Sequence, residues 1–227
     1  EDSIDPHELP RFEQENGGLY LFTRLPWERP HDVTTRPLTV IISPKATVTV
    51  SVEPMPVLDR FAHRQLEVDL RQPMRFFAAL AQEEIRAYYL HTKAIAKKVS
   101  RQRVNLRNLR NRDIVNLVEN EEMLNDFHTS LHANIDLFER LLSSKAVTLG
   151  EIERDLFQDL VVDARQVLGF CQESISTINN IRDSYNAILS NNLNKTLKFL
   201  TSITVILTIP ILIASVYGMN IRLPYAD

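Results

Sequence analysis

Cysteine is almost missing from this chain: among 227 residues Cys171 is the only one, so neither an intrachain disulfide nor a cysteine-based metal centre can form. An excess of charge is missing too. The 26 Lys and Arg stand against 29 Asp and Glu, a formal charge of −3. The basic residues form no stripe interleaved with aromatics, which argues against a nucleic-acid partner. There is no nucleophile–base pair, no glycine-rich phosphate loop and no His-x-x-x-His spacing. The 6 His residues are scattered singly, as surface or packing histidines are, and nothing reads as an enzyme. No signal peptide opens the chain, whose first residue is Glu1 rather than Met. Helix breakers are scarce in the last third: from Glu151 to Ile209 there is no proline, and Gly169 is the only glycine.

That scarcity predicts one very long helix. Thr148 can cap it, with Glu151 completing a capping box. Apolar residues then recur at steps of mostly three or four through Ile152, Leu156, Leu160, Val167, Ile175, Ile178, Ile181, Tyr185, Ile188 and Leu193. Its last part, Phe199 to Tyr217, is uncharged and apolar. About 19 residues at ~1.5 Å each just cross a ~30 Å hydrocarbon core. Lys195 and Lys198 stand immediately before the run, which places the N-terminal body in the cytoplasm. Gly218-Met219-Asn220 then falls at the far membrane surface. A helix on the order of 100 Å cannot be buried in one domain. It reads as a stalk that packs against copies of itself and enters the membrane.

One face of the membrane segment is mildly polar: Asn194, Leu197, Thr201, Thr204, Thr208, Ile211 and Ser215 recur at steps of three or four. Two readings fit. The hydroxyls either bond back to the helix and assist packing, or symmetry-related copies turn the stripe toward an axial pathway.

The remainder predicts an α+β fold. Residues 1–72 read as part of an α/β domain. Leu19–Thr23, Leu38–Ile42 and Thr47–Val52 are strands, the last two forming a hairpin around Ser43–Ala46, and Pro26, Pro30 and Pro37 punctuate a loop. Too few strands are present for a full sheet. Residues 73–147 read as an antiparallel helical hairpin projecting from the body, turning at Asn105–Arg112. Residues 148–198 are the stalk, 199–217 the transmembrane helix and 218–227 the start of an outer loop.

Several of these residues carry a resemblance. Tyr217-Gly218-Met219-Asn220 ends a membrane-length segment entered through Asn191-Asn192-Leu193-Asn194-Lys195 and Leu200-Thr201. Near the other end, Glu1-Asp2 precedes Pro10-Arg11-Phe12-Glu13, similar to an acidic pair and a Pro-basic-x-Glu turn. The chain resembles the CorA family of magnesium transporters. The resemblance implies a homopentamer in the plasma (inner) membrane that conducts Mg²⁺ or another divalent cation through a pore lined by the first membrane helix. It also implies a fragment, with sequence missing at both ends and a second membrane helix after the loop. The alternative is a genuine single-span protein.

Carried onto this sequence, the resemblance makes Gly218, Met219 and Asn220 the outer selectivity element. Leu197 and Leu200 become a constriction above an Asn194 mouth, and Thr201, Thr204, Thr208, Ile211 and Ser215 line the pore. Regulatory Mg²⁺ would bind between subunits at Glu1, Asp2 and Asp159; the plainer reading of Asp159 is a solvated stalk residue beside Asp155 and Asp163. A further acidic ligand has no counterpart near Ala79, and Glu83 or Glu84 is the substitute on offer. Zinc transport within the family, with or without proton coupling, is a second reading. A single-span coiled-coil sensor or anchor is a third.

Overall fold

The computed structural model describes residues 8–28, 33–63, 68–69, 71–104, 109–145 and 147–218. Four strands, β1 (Arg11–Glu15), β2 (Gly18–Glu28), β3 (Val33–Ile42) and β4 (Thr47–Ser51), form an antiparallel sheet in sequential order. The expected Pro-basic-x-Glu turn is therefore a strand, because the actual turn comes later. Glu15 pairs with Gly18, leaving Asn16 and Gly17 at φ 51° and 75° as a two-residue loop. Positive φ at both positions is the geometry whose twist matches flanking strands, and Asn-Gly favours it.

Pro26 and Pro37 lie inside β2 and β3 rather than in a loop. Both sit where a strand has only one partner: β1 pairs with β2 only as far as Phe22, and β4 with β3 only as far as Leu38. A missing N–H there costs no ladder bond. Pro30 lies outside the described residues.

Helix α1 (Pro56–Ala62) leads to three long helices, α2 (Pro73–Val104), α3 (Asn111–Ser143) and α4 (Glu151–Tyr217). At 67 residues, α4 is about 100 Å long. Its N-cap is Gly150, not Thr148, and no side chain caps it. Glu153 instead accepts the Gly150 N–H and an Arg75 Nε bond of 2.7 Å. A Cβ at Gly150 would run into Glu153 Oε2, so glycine suits the position sterically.

The two helices of the expected hairpin run antiparallel to one another, and both lie along α4. α2 runs parallel to α4 and α3 antiparallel to it, and each packs chiefly on α4, leaving only a smaller direct contact between the two. Phe77, Phe138 and Phe157, one from each helix, meet with ring centroids 6.0 to 6.4 Å apart. All three are fully buried, each contributing about 1.5–3 kcal/mol of apolar transfer. Leu21, Leu25, Leu38 and Val40 add the sheet to the same core.

Because α4 is gripped from two sides, its buried stripe is Phe157, Leu160, Val161, Ala164, Val167, Cys171, Ser174, Ile178 and Ile181. Ile152 and Leu156, read from the sequence as part of the stalk stripe, are exposed, Leu156 at the rim of a cavity shared with α2, as are Tyr89 on α2 and Val118 on α3. From 191 to 217 every α4 residue is exposed.

Candidate ion pathway and regulatory groove

The exposed end of α4 is as apolar as a protein surface can be. Its mean hydropathy reaches 2.3 over an 18-residue window, none of it buried, with Phe199 and Ile206 about two-thirds exposed. Such a surface is stable only against hydrocarbon or other protein. Pro210 sits within this segment without ending the helix, as membrane helices tolerate.

The stripe is built from regular helix geometry: Asn194, Leu197, Thr201, Thr204, Thr208, Ile211 and Ser215 share one exposed face, with Leu200 at its margin. Thr201, Thr204 and Thr208 each donate to the carbonyl four residues back, on Leu197, Leu200 and Thr204, at 2.7 to 2.9 Å. The back-bonding alternative is thus present, and it leaves the other reading open. A hydroxyl that spends its proton on the helix keeps a lone pair facing outward. A column of acceptors with no competing donors matches the outward-pointing hydrogens of a hydrated cation.

Gly218 ends α4 with φ −82° and ψ −7°, donating to Ala214 O at 2.9 Å. It therefore still holds helical backbone, and no glycine-specific turn is made at that residue. Met219 and Asn220 lie outside the described residues, as do Glu1 and Asp2.

Asp159 is exposed one turn from Asp155 and Asp163. It borders a cavity of about 300 Å³ that Arg75, Ala79, Gln82 and Asp163 also line. Among the described residues no group of three or more His, Cys, Asp or Glu is placed to hold a metal ion. Asp159 could serve a cation only with acceptors from elsewhere, such as Glu1 and Asp2 or another copy. Neither proposed substitute reaches it. Glu83 faces a different cavity, bonded to Arg60 at 2.5 Å and 3.6 Å from Arg86. Glu84 is fully buried between the sheet and α3. The polar cluster around Glu84 was not anticipated as a unit. Its signal was available, since Glu84 falls between Phe77, Leu80 and Tyr88 on the buried face of α2.

Comparison with known proteins bears on the family and the fold. The family model described as "CorA-like Mg2+ transporter protein" matches residues 1–227. A curated cobalt/magnesium transport protein CorA from Methanocaldococcus jannaschii is 29% identical over 102 residues, 44% of this chain and 32% of that protein. The matched stretch is thus about a third of that relative's length. The complete structure of the CorA magnesium transporter from the same organism superposes with a TM-score of 0.89 at 21% identity, over 99% of this chain and 73% of that one. The full-length CmaX protein superposes with a TM-score of 0.79 at 15% identity, over 98% and 70% of the two chains. At these identities the structural matches speak for a shared fold.

Proposed function

Since this chain belongs to the CorA-like Mg²⁺ transporter family, we propose that it forms a homopentameric Mg²⁺ channel whose α4 helices surround the pathway, with the body cytoplasmic. The observation that carries the reading is the unburied apolar span with one face of outward acceptors. Five copies bring these faces together and leave the apolar faces to lipid. The order along the pathway follows from α4: Asn194 at the wide mouth, then Leu197 and Leu200, the Thr201–Thr204–Thr208 column, Ile211 and Ser215.

At the outer end, five Asn220 amides accept hydrogen bonds from the ion's water. Mg²⁺ is small and gives up its octahedral shell reluctantly. Neutral acceptors hold the hydrated ion without stripping it and release it again, as conduction requires. Gly218 and Met219 position that ring.

The regulatory site is Asp159 with Glu1 and Asp2 of a neighbouring copy. Ile152 and Leu156, exposed on α4, supply apolar surface for the neighbour on the same helix as Asp159. Mg²⁺ between the carboxylates cancels their repulsion and holds the closed assembly, more strongly as the ion concentration rises.

Flux into liposomes containing the full-length protein tests both parts. Mg²⁺ should enter under a membrane potential without a proton gradient, and millimolar-scale Mg²⁺ on the body side should shut the flux. Asp159→Asn keeps the shape and removes the charge, so it should conduct but close poorly. Zinc entry that requires a proton gradient would favour the zinc reading. Equal closure in Asp159→Asn and wild type would remove Asp159 from the sensor.

A further inference from the structure

A group unrelated to the ion pathway joins the sheet to the helices. Glu84 on α2, Asn134 on α3 and Thr23 on β2 are all essentially excluded from solvent, at 0%, 1% and 1% exposure. Asn134 Nδ2 donates to Glu84 Oε1. Thr23 Oγ1 lies 2.7 Å from Glu84 Oε2 and 3.0 Å from Asn134 Oδ1. The hydroxyl has one hydrogen and two neighbouring oxygens. Both contacts are hydrogen bonds at once only if one of those oxygens brings a proton. Asn134 Oδ1 is a carbonyl and cannot, so the proton belongs on Glu84.

The ring then closes in one direction: Asn134 Nδ2 donates to Glu84 Oε1, Glu84 Oε2 to Thr23 Oγ1, and Thr23 Oγ1 to Asn134 Oδ1. Turning the amide over does not remove the requirement, because Oδ1 would then face Oε1 and again need a proton between them. With Nδ2 toward Glu84, the amide also reaches Arg24 O at 3.4 Å.

We propose that Glu84, Asn134 and Thr23 form a proton-loaded clasp between sheet and helices, which loosens when alkaline solution removes the proton, making the body pH-responsive. An ionised Glu84 leaves the Thr23 hydroxyl able to serve only one of its two acceptors, and strands a carboxylate that no cation among the described residues pairs with. The surroundings offer no compensation. From α2 the titratable neighbour is Tyr88, whose hydroxyl donates to Arg24 O at 2.9 Å. Burial and the Glu84 charge both hold that phenol well above its ordinary range. From β2 the Arg24 guanidinium turns away, bonding Thr35 and Glu8 O. From α3 the neighbours Asn134 and Ser130 are neutral. From α4 comes Cys171, whose thiol burial pushes up.

Burial raises the Glu84 carboxyl to about 8, against weaker opposition from Thr23 and Asn134. The sign follows. Below the unfolded carboxyl range, near 4.5, both states hold the proton and the clasp's contribution is complete. As pH rises toward about 8 the unfolded chain ionises first, so stability falls through that window and levels off above it.

The test uses full-length protein in detergent. Infrared spectra of wild type at neutral pH should contain a protonated-carboxyl C=O band that bleaches around pH 8. Glu84→Gln should abolish the band, because its amide can donate to Thr23 and accept from Asn134 in the same ring without titrating. Thr23→Ser, which retains the hydroxyl, should keep the band. Thermal midpoints should fall between mildly acidic and mildly alkaline pH in wild type, with that slope reduced in Glu84→Gln. A wild-type spectrum with no such band at neutral pH overturns the proposal without reliance on any variant. So does a band that persists in Glu84→Gln, or an unchanged slope in that variant.

Discussion

Replacing Asn220 with alanine is expected to reduce Mg²⁺ uptake to background while the oligomer still assembles. The expectation rests on what the ring would do. A hydrated Mg²⁺ presents only water hydrogens, and amide oxygens are what would draw it out of bulk solution at the outer end of α4. Each hydrogen bond contributes on the order of 0.5–1.5 kcal/mol net. Five equivalent losses therefore amount to at least roughly fiftyfold in occupancy, a factor of ten corresponding to about 1.4 kcal/mol. Assembly should survive, because the contacts proposed between copies lie along the stalk, away from residue 220. Uptake assays paired with cross-linking or native mass measurement separate the two effects. Wild-type uptake by Asn220→Ala would take Asn220 out of the mechanism.

The second large effect is expected at Leu200. Leu197 and Leu200 are about half exposed on isolated α4, at 49% and 59%. In the proposed assembly these faces converge on the axis near the cytoplasmic end. A ring of leucines excludes water from a narrow tube, and a hydrated ion cannot pass a dewetted section. Leu200→Ser removes one such ring. Each leucine side chain carries about 1.5–3 kcal/mol of apolar preference, so the closed-state leak should rise at least about tenfold. The measurement is Mg²⁺ flux with the body side held at high Mg²⁺, where wild type is shut. If Leu200→Ser closes as tightly as wild type, the constriction lies elsewhere.

The long helix was legible in the sequence because its determinants are local. The absence of proline and near-absence of glycine from Glu151 to Ile209, with apolar steps of three and four, leave few alternatives to α4. The sheet was legible only in its middle. Prolines 26 and 37 read as loop signals, yet both sit in strands. What makes them tolerable, a missing neighbour on one side, is a property of strand order and not of local sequence. Asn16-Gly17, by contrast, is a local two-residue hairpin signal, and the β1–β2 turn lies there.

On α4 the predicted apolar stripe was offset from the buried one because periodicity identifies a face and not how many neighbours grip it. Phe157 and Cys171 are buried by the pincer of α2 and α3, whereas Ile152 and Leu156 stay exposed. Glu84 was offered with Glu83 as a substitute ligand because it lies close to Ala79 in sequence. Its position on the core face of α2 was the better guide. The candidate pathway differs in kind. The stripe's membership can be read from spacing, but its facing an axis depends on copies that no single chain contains. The roles of Asn220, Glu1 and Asp2 came from resemblance alone.

The claim that the polar face of α4 lines an aqueous cation pathway is tested most directly by thiol accessibility. The native thiol, Cys171, is buried, so background reaction should be low. Thr208 lies on the stripe, whereas Ile206, 67% exposed in the isolated chain, lies on the opposite side of the helix. In membranes containing the full-length protein, a charged, membrane-impermeant thiol reagent should modify Thr208→Cys when the channel is open and block its flux. Ile206→Cys, facing lipid, should remain unmodified and conducting. Modification and block at Ile206→Cys with none at Thr208→Cys would contradict the account.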